Sequence, residues 1–199
     1  MRRVARRHNF LITKNSKGYA VFAKRNYKKG ETVWVLSGDK MTSKSVEVLQ
    51  AKYLRGIIDP LQVGPQEYIL LDSPSIYFNH SCAPNAGVRY KSTLAALRDI
   101  KKGDEITYDY STTIDETFEC KCGSKQCRGG IFDFLAIPKR IQRYYFVNRA
   151  IPDFIIKRLI RVNKGLCPCG SKKKYDICHG KEQLFKKISH MGSSGRSRR

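Results

Sequence analysis

Residues 76–85 read Ile-Tyr-Phe-Asn-His-Ser-Cys-Ala-Pro-Asn, an apolar triplet followed directly by four polar side chains of different chemistry. The triplet predicts burial, so it carries the residues from Asn79 to Cys82 towards the interior. Buried polar groups are costly unless each finds a partner, and these four therefore need a ligand, a metal or a hydrogen-bond network of their own. A strand that ends in a turn is the alternative, because Asn, Ser and Pro all suit turns.

A second stretch, residues 100–110, reads Ile-Lys-Lys-Gly-Asp-Glu-Ile-Thr-Tyr-Asp-Tyr. Its glycine predicts a turn, and the β-forming residues that follow predict a strand with Ile106, Tyr108 and Tyr110 on one face. Two tyrosine hydroxyls would then lie on the same side of this strand.

The two stretches together resemble the SET-domain protein lysine methyltransferases, in which Asn-His-Ser-Cys-x-Pro-Asn precedes Gly-[Asp/Glu]-Glu-[Leu/Ile]-Thr-Tyr-Asp-Tyr. Both motifs are long and nearly unbroken here. Residues 17–23, Lys-Gly-Tyr-Ala-Val-Phe-Ala, and residues 29–31, Lys-Gly-Glu, resemble the opening strand pair of the same family. The resemblance covers residues 10–130 and implies an α+β, β-rich fold of small sheets with a threaded, pseudoknot-like C-terminal segment.

The resemblance also implies a reaction, the transfer of a methyl group from S-adenosylmethionine to a lysine amine of a protein substrate. Such a displacement is catalysed chiefly by positioning and electrostatics. Asn79 and His80 match the positions that hold the cofactor in this family. Gly18 and Tyr19 match the loop over the methionine end of the cofactor.

Two tyrosines carry the catalytic roles that the resemblance implies. Tyr110 matches the tyrosine whose hydroxyl orients the methyl group and the amine, and Tyr108 matches the position at which Tyr or Phe adjusts how many methyl groups are added. The chain departs from the family where residues 18–20 replace Gly-x-Gly, and where Leu36 replaces a frequent tyrosine two residues before Gly38. These departures keep open a second function, a catalytically weak SET-fold adaptor that binds nucleic acid or ribosomes.

Six of the seven cysteines lie in two short clusters, which favours metal binding over disulfide bonds. In the first cluster, Cys120, Cys122 and Cys127, the tight Cys-x-Cys turn brings two thiolates onto one ion, and tetrahedral zinc needs a fourth ligand. The cluster resembles the post-SET segment, in which the fourth ligand is the cysteine of the Asn-His-Ser-Cys motif, here Cys82. Four buried free thiols are the alternative.

The second cluster supplies three sulfurs and one imidazole, a complete structural zinc set with no open position. This stretch resembles the SEC-C zinc motif, with Lys172 in place of a common glycine. With Cys82 added to the first cluster, the two sites use all seven cysteines, so we expect two zinc ions per chain. The expected ligands of the second ion are Cys167, Cys169, Cys178 and His179.

Charge is distributed unevenly along the chain, whose formal net charge is +22. Residues 9–133 carry 18 basic and 14 acidic side chains, whereas residues 1–8 and 134–199 together carry 21 basic and 3 acidic ones. A solvated surface mixes its signs, so the flanks predict a footprint for nucleic acid. A merely soluble basic protein is the alternative. A histone, histone-like or ribosomal protein on nucleic acid would present its lysine to such an enzyme.

The length of 199 residues and the hydrophobic content of 41% predict one medium domain with a small appendage. No apolar run reaches the 18 or so residues that span a membrane, so we expect no membrane partner and a reducing compartment. The expected location is the cytoplasm with the nucleoid, a host nucleus for a secreted bacterial effector, or the chromosome. The predicted order is a basic arm (1–8), SET domain (9–112), post-SET zinc segment (113–133), helical linker (134–163), SEC-C zinc knuckle (164–181) and basic disordered tail (182–199).

Hydrophobic periodicity adds strands at 10–12, 19–23, 31–36, 68–71 and 93–97 and a helix at 45–54 after an N-cap at Ser43. Residues 138–163 are predicted to form two helices, the second with an apolar face and a basic face that is left for a partner. The basic face consists of Lys157, Arg158 and Arg161.

Overall fold

The structure is a computed structural model that describes residues 9–15, 18–53, 60–114 and 116–181. The predicted basic arm and tail, Lys17 of the predicted opening strand pair and Leu54 of the first predicted helix lie outside the described residues.

Short antiparallel strands dominate the described part of the chain, where they form two sheets of three strands and two of two strands. This confirms the α+β, β-rich fold class with little helix. The strands are β1 (Phe10–Asn15), β2 (Gly18–Ala23), β3 (Thr32–Val35), β4 (Gly38–Thr42), β5 (Leu61–Gln62), β6 (Glu67–Leu71), β7 (Ala86–Arg89), β8 (Thr93–Ala96), β9 (Phe118–Glu119) and β10 (Gly130–Ile131). The helices are α1 (Ser43–Tyr53), α2 (Lys139–Val147) and α3 (Asp153–Val162), with 3-10 turns at Ser75–Tyr77 and Tyr110–Thr112.

Each strand predicted from hydrophobic periodicity is present within a few residues of its expected bounds, as are the three helices. Strand β4 reads Gly-Asp-Lys-Met-Thr and has no apolar alternation, yet all five of its residues pair with β6. Among the described helices, none combines the length and the apolar character that crossing a bilayer requires.

The main core lies between the sheets, where the inward side chains of β2, β7 and β8 meet. In β2 the residues Ala20, Val21 and Ala23 are buried, while Tyr19 is exposed. Leu36, at the position where the family often has tyrosine, is also buried in this core. The largest fully buried members of the core are Tyr27, Leu36, Phe78, Leu94, Ile100 and Ile106.

The prediction of a regular strand across residues 106–110 is wrong. Its amides alternate between unrelated acceptors: the Ile106 N–H donates to the Val21 carbonyl at 2.8 Å, and the Thr107 N–H donates to the Asn85 side-chain oxygen at 2.9 Å. The Tyr108 N–H then donates to the Asn79 carbonyl at 3.1 Å. No single neighbour accepts successive hydrogen bonds from this segment, so it forms no ladder, and Tyr110 already begins a 3-10 turn.

A second core joins the two C-terminal helices to the knuckle around Cys167 and Cys169. Both helices begin directly after a proline, which suits a first-turn position. The two cores meet closely at Gly87, where a Cβ atom would lie 2.6 Å from the Ala150 Cβ. The expectation that the whole basic face of α3 is left for a partner needs correction, because Arg158 pairs with Asp133 at 2.8 Å.

Candidate functional site

The two motif stretches lie side by side. The Tyr108 N–H donates to the Asn79 carbonyl, and the Ser81 N–H donates to the Tyr108 carbonyl, both at 3.1 Å. His80 and Tyr108 are thereby paired in parallel. The Asn79 side-chain amide donates to Glu105 Oε1 at 2.9 Å and to the Tyr19 carbonyl at 3.1 Å. The polar run is therefore satisfied by an internal hydrogen-bond network.

His80 is fixed between this network and the first cysteine cluster. Its Nδ1 accepts the Tyr110 N–H at 3.1 Å. Burial lowers the pKa of His80 to about 4, against the opposing effect of the Asp109 charge. A neutral imidazole whose Nδ1 accepts must carry its proton on Nε2. That Nε2 lies 3.3 Å from Cys82 Sγ, so His80 donates a hydrogen bond to this sulfur.

The first cysteine cluster has the spacing of a tetrahedral zinc site. The Cys120 Sγ lies 3.7 Å from the Cys82 Sγ and 3.7 Å from the Cys127 Sγ. Four thiolates at about 2.3 Å from one zinc ion would be separated by roughly 3.8 Å. The group of ligand atoms that lie within 4.8 Å of one another consists of Cys82, Cys120, Cys122 and His80, so the predicted ligand Cys127 is not part of it. Because the His80 Nε2 is already protonated, the four sulfurs are the better donor set.

Main-chain amides also point at these sulfurs. The Arg128 N–H donates to Cys82 Sγ at 3.4 Å, and the Gly129 N–H donates to Cys127 Sγ at 3.5 Å. Burial acts to raise the pKa of Cys122, but hydrogen bonds from neighbouring main-chain and thiol groups outweigh it and lower the pKa to about 7. One thiolate therefore forms readily near neutral pH, which favours metal binding.

The second cluster brings together the four predicted SEC-C ligands, whose donor atoms lie within 4.8 Å of one another. Cys169 Sγ lies 3.7 Å from Cys178 Sγ, and His179 Nδ1 lies 3.3 Å from both Cys167 Sγ and Cys178 Sγ. Sulfur and nitrogen ligands of one tetrahedral zinc ion would be separated by roughly 3.6 Å. Both clusters could therefore hold zinc.

Two cavities share one side chain, Tyr110. The first, here called the polar cavity, has a volume of about 490 Å³ and is lined in part by the polar side chains of Asn79, His80 and Glu105. The second has a volume of about 240 Å³ and a mainly apolar lining that includes Leu71 and also Tyr108. Small-molecule sites typically occupy roughly 300–1,000 Å³, so the first cavity has room for a nucleoside-sized ligand. The second suits a slimmer, apolar chain.

The two catalytic candidates, Tyr108 and Tyr110, have different surroundings. Tyr108 is buried, and burial raises its pKa well above its usual value, with the Thr113 side chain as a hydrogen-bond partner. The Tyr110 hydroxyl donates to the Phe78 carbonyl at 2.9 Å, and the two tyrosine rings lie 4.9 Å apart.

The glycine loop lies beside the polar cavity rather than in its lining. Among the described residues, Gly18 and Tyr19 do not line it. Tyr19 is joined to it through its carbonyl, which accepts from the Asn79 amide. Gly18 has a φ of +116°, a conformation that favours glycine.

A buried ionic network beneath the two tyrosines was missed from the sequence. The Asp109 carboxylate has no solvent exposure and binds the Arg128 guanidinium through two hydrogen bonds of 2.8 Å. Tyr145, from α2, donates its hydroxyl to the same carboxylate at 2.8 Å. The only signal available was the position of Asp109 between two tyrosines and of Arg128 next to a cysteine ligand. Nothing in the sequence singles out Tyr145.

Two family models match parts of the chain. Residues 18–111 match the model of the SET domain, and residues 166–181 match that of the SEC-C motif. The variant-silencing SET domain-containing protein of Plasmodium falciparum is 35% identical over 128 residues, which are 55% of this chain and 5% of that protein. Histone-lysine N-methyltransferase mes-4 of Caenorhabditis elegans is 34% identical over 141 residues, 57% of this chain and 15% of that protein.

A third relative is of similar size. Methyltransferase flvH of Aspergillus flavus is 27% identical over 146 residues, which cover 67% of this chain and 82% of that protein. The chain thus spans a small part of the first two relatives and most of the third.

Proposed function

We propose that this chain, a SET-domain protein with a C-terminal SEC-C motif, transfers a methyl group from S-adenosylmethionine to a lysine of a basic protein. The observation that carries the proposal is the position of Tyr110, which lines both the polar and the apolar cavity. A displacement needs both reactants held next to each other in one orientation, and a side chain that lines both cavities can position the two of them.

The polar cavity would hold the cosubstrate, with Asn79 and His80 on its wall and Gly18 and Tyr19 beside it. Bound S-adenosylmethionine would supply a methyl group that is activated by its bond to a positively charged sulfonium sulfur. Asn79 and His80 are themselves held by Glu105 and by the Tyr110 amide, so this wall is organised before the ligand arrives. Preorganisation of this kind lowers the cost of binding.

The apolar cavity would receive the four methylene groups of the target lysine. Leu61, Leu70, Leu71, Ile76 and Phe78 give it an apolar lining that favours a neutral amine over a charged one. An unperturbed lysine has a pKa of about 10.4, so this environment helps the amine to lose its proton. The Tyr110 hydroxyl would orient the neutral amine. The lone pair of the amine nitrogen would form the new N–C bond while the bond between the methyl carbon and the sulfonium sulfur breaks, and S-adenosylhomocysteine would leave.

Zinc would have a structural role. Cys82, Cys120, Cys122 and Cys127 would hold one ion, and the SEC-C set would hold the other. The first ion would join the motif that carries His80 to the segment that covers the polar cavity through Phe118 and Lys121. Loss of this ion should therefore affect the reaction as well as the fold.

The net charge of the chain and the activity named for one relative support the proposed class of substrate. The Caenorhabditis relative is named as a histone-lysine N-methyltransferase, so a histone or another nucleic-acid-bound basic protein is the proposed class. A chain of net charge +22 repels a free basic tail, whereas nucleic acid would attract its basic flanks. Chromatin is accordingly the proposed location.

A basic surface on the C-terminal module supports the nucleic-acid partner. Residues 134–181 carry 12 basic and 2 acidic side chains. The Arg143 guanidinium lies 3.2 Å from where a Cβ atom of Gly170 would be, so α2 presents this arginine at the knuckle. The neighbouring side chains Lys172, Lys173 and Lys174 are exposed. Such a cluster suits the regular phosphates of a nucleic-acid backbone.

Incubation of the purified chain with tritiated S-adenosylmethionine and nucleosomes tests the enzyme. Tyr110→Phe should lower turnover by about a hundredfold, the typical effect of losing one hydroxyl that acts in the transition state. Calorimetry should show nearly unchanged cosubstrate binding. Tyr90→Phe is the matched control, because Tyr90 is exposed at 58% and lines neither cavity. Equal turnover of the two variants would contradict the role of Tyr110.

The same materials test the alternative, an adaptor with weak or no activity. An adaptor would bind DNA but would show no heat of cosubstrate binding and no label transfer. The slope of log affinity for DNA against log salt concentration should become less steep by about 0.9 for each phosphate that is no longer neutralised. The variant that tests this has alanine at Arg143, Lys172, Lys173 and Lys174. Alanine at Lys28 and Lys91, which already pair with carboxylates, is the control and should leave the slope unchanged.

A further inference from the structure

We propose that Tyr145, on α2 and outside the residues that match the SET domain, is a positioning residue for the methyl-transfer site. This inference rests on the proposed function. It assigns to the C-terminal helical segment a direct part in the geometry of the reacting centre.

Asp109 lies in the chain between Tyr108 and Tyr110, and its carboxylate is the acceptor for the Tyr145 hydroxyl. It is fully buried and accepts hydrogen bonds from two arms of Arg128, from the Tyr145 hydroxyl at 2.8 Å and from the Ser111 N–H at 3.1 Å. Several donors from three separate segments therefore fix one rotamer of this side chain.

Asp109 transmits that position to Tyr110 through the main chain. Its carboxylate caps the 3-10 turn Tyr110–Thr112, and its carbonyl accepts the Thr112 hydroxyl at 2.7 Å. The first residue of this turn is Tyr110, whose N–H is held by His80 at 3.1 Å. A carboxylate that changes rotamer would release the turn and move the hydroxyl at the junction of the two cavities.

Tyr145 is suited to this task because its hydroxyl is buried and protonated. Burial, together with the neighbouring Asp109 charge, raises the pKa of Tyr145 far above its usual value, so it donates throughout the physiological range. Its ring packs in the second core beside Phe134. The hydroxyl therefore connects the second core to the carboxylate beneath the reacting centre.

The test compares Tyr145→Phe with Tyr144→Phe in the full chain loaded with zinc. Tyr144 is the preceding residue on the same helix and is exposed at 49%, so it is a matched control. Tyr145→Phe should lower kcat by about tenfold, the effect of losing one hydrogen bond to a charged group, with KM for both substrates within about twofold. Zinc content should be unchanged. Tyr144→Phe should behave as the parent chain.

A readout independent of activity completes the test. Amide hydrogen exchange of the peptide that covers residues 106–114 should become faster in Tyr145→Phe and stay unchanged in Tyr144→Phe. Arg128→Lys removes the forked contact to Asp109 and keeps the charge. It should also lower kcat and speed up exchange of residues 106–114. This variant replaces Tyr145→Phe if Tyr145→Phe does not fold.

The outcomes separate the two proposals. A folded Tyr145→Phe variant with unchanged kcat and unchanged exchange would overturn the positioning role. A lower stability with unchanged kcat, measured where both proteins are folded, would assign Tyr145 to the fold alone. A parent chain that transfers no methyl group would refute the proposed function, while the exchange data would still decide whether Tyr145 holds the turn.

Discussion

Replacement of Asp109 by asparagine should destabilise the protein far more than the same replacement at Asp133. Both carboxylates are held by an arginine through two hydrogen bonds, at 2.8 and 2.8 Å for Arg128–Asp109 and at 2.8 and 3.1 Å for Arg158–Asp133. The side chains of the first pair are 8% and 0% exposed, and those of the second are 34% and 27% exposed. The two pairs therefore differ in burial, and Asp109 also accepts hydrogen bonds from Tyr145 and Ser111, whereas Asp133 accepts one more from the Leu135 N–H.

The expected magnitudes follow from that difference. Removing one partner of a buried pair leaves a charge without compensation and costs about 3–5 kcal/mol. Removing one partner of a partly exposed pair costs about 1 kcal/mol or less, because water screens the charge that remains. In a chain of this size each kcal/mol lowers Tm by roughly 2–4 °C. Asp109→Asn should then lower Tm by about 6–20 °C, and Asp133→Asn by about 4 °C at most.

Urea unfolding followed by circular dichroism, with zinc in constant excess and no chelator, measures both variants on one scale. The midpoint should fall and the slope m should stay constant if only the stability changes. Metal analysis of the folded proteins should give equal zinc contents, which excludes loss of an ion as the cause. Equal destabilisation of the two variants would refute the reasoning from burial.

Two further predictions concern metal and product. The parent chain should contain two zinc ions. Cys82→Ser should remove one ion and impair methyl transfer, whereas Cys178→Ser should remove the other ion and leave activity on a peptide largely intact. Metal analysis that finds a single ion in the parent chain would contradict this assignment of ligands. Monomethyl-lysine should dominate the product, because the buried Tyr108 hydroxyl would occupy space beside the amine. Tyr108→Phe should therefore shift the products seen by mass spectrometry towards di- and trimethyl-lysine. An unchanged product distribution would mean that another residue limits the size of the pocket.

The parts of the site that could be predicted are those whose chemistry is carried by local spacing. A Cys-x-Cys turn can bring two sulfurs onto one ion whatever the rest of the chain does, and the long motifs around Asn79 and Tyr108 resemble two parts of one active site. The main-chain hydrogen bonds between these motifs agree with that resemblance. The ligand sets themselves remain predictions.

The parts that could not be predicted depend on distant partners. Arg128 and Tyr145 are 19 and 36 residues from Asp109, and arginine and tyrosine are common on protein surfaces. Residues 106–110 have the composition of a strand, but the Asn85 side chain takes the hydrogen bond that a neighbouring strand would otherwise accept. Local propensity cannot reveal such competition, because tertiary contacts decide it.

The two cysteine clusters close very different lengths of chain, and this sets the order in which they can form. Cys167 and His179 are 12 residues apart, whereas Cys82 and Cys120 are 38 apart. The entropy of loop closure rises with length, and the longer loop also needs the sheets between its ends. The C-terminal cluster can therefore capture metal early in folding. The other cluster would reach its full affinity for zinc only once the main core has formed, so its metal occupancy would report whether that core is intact.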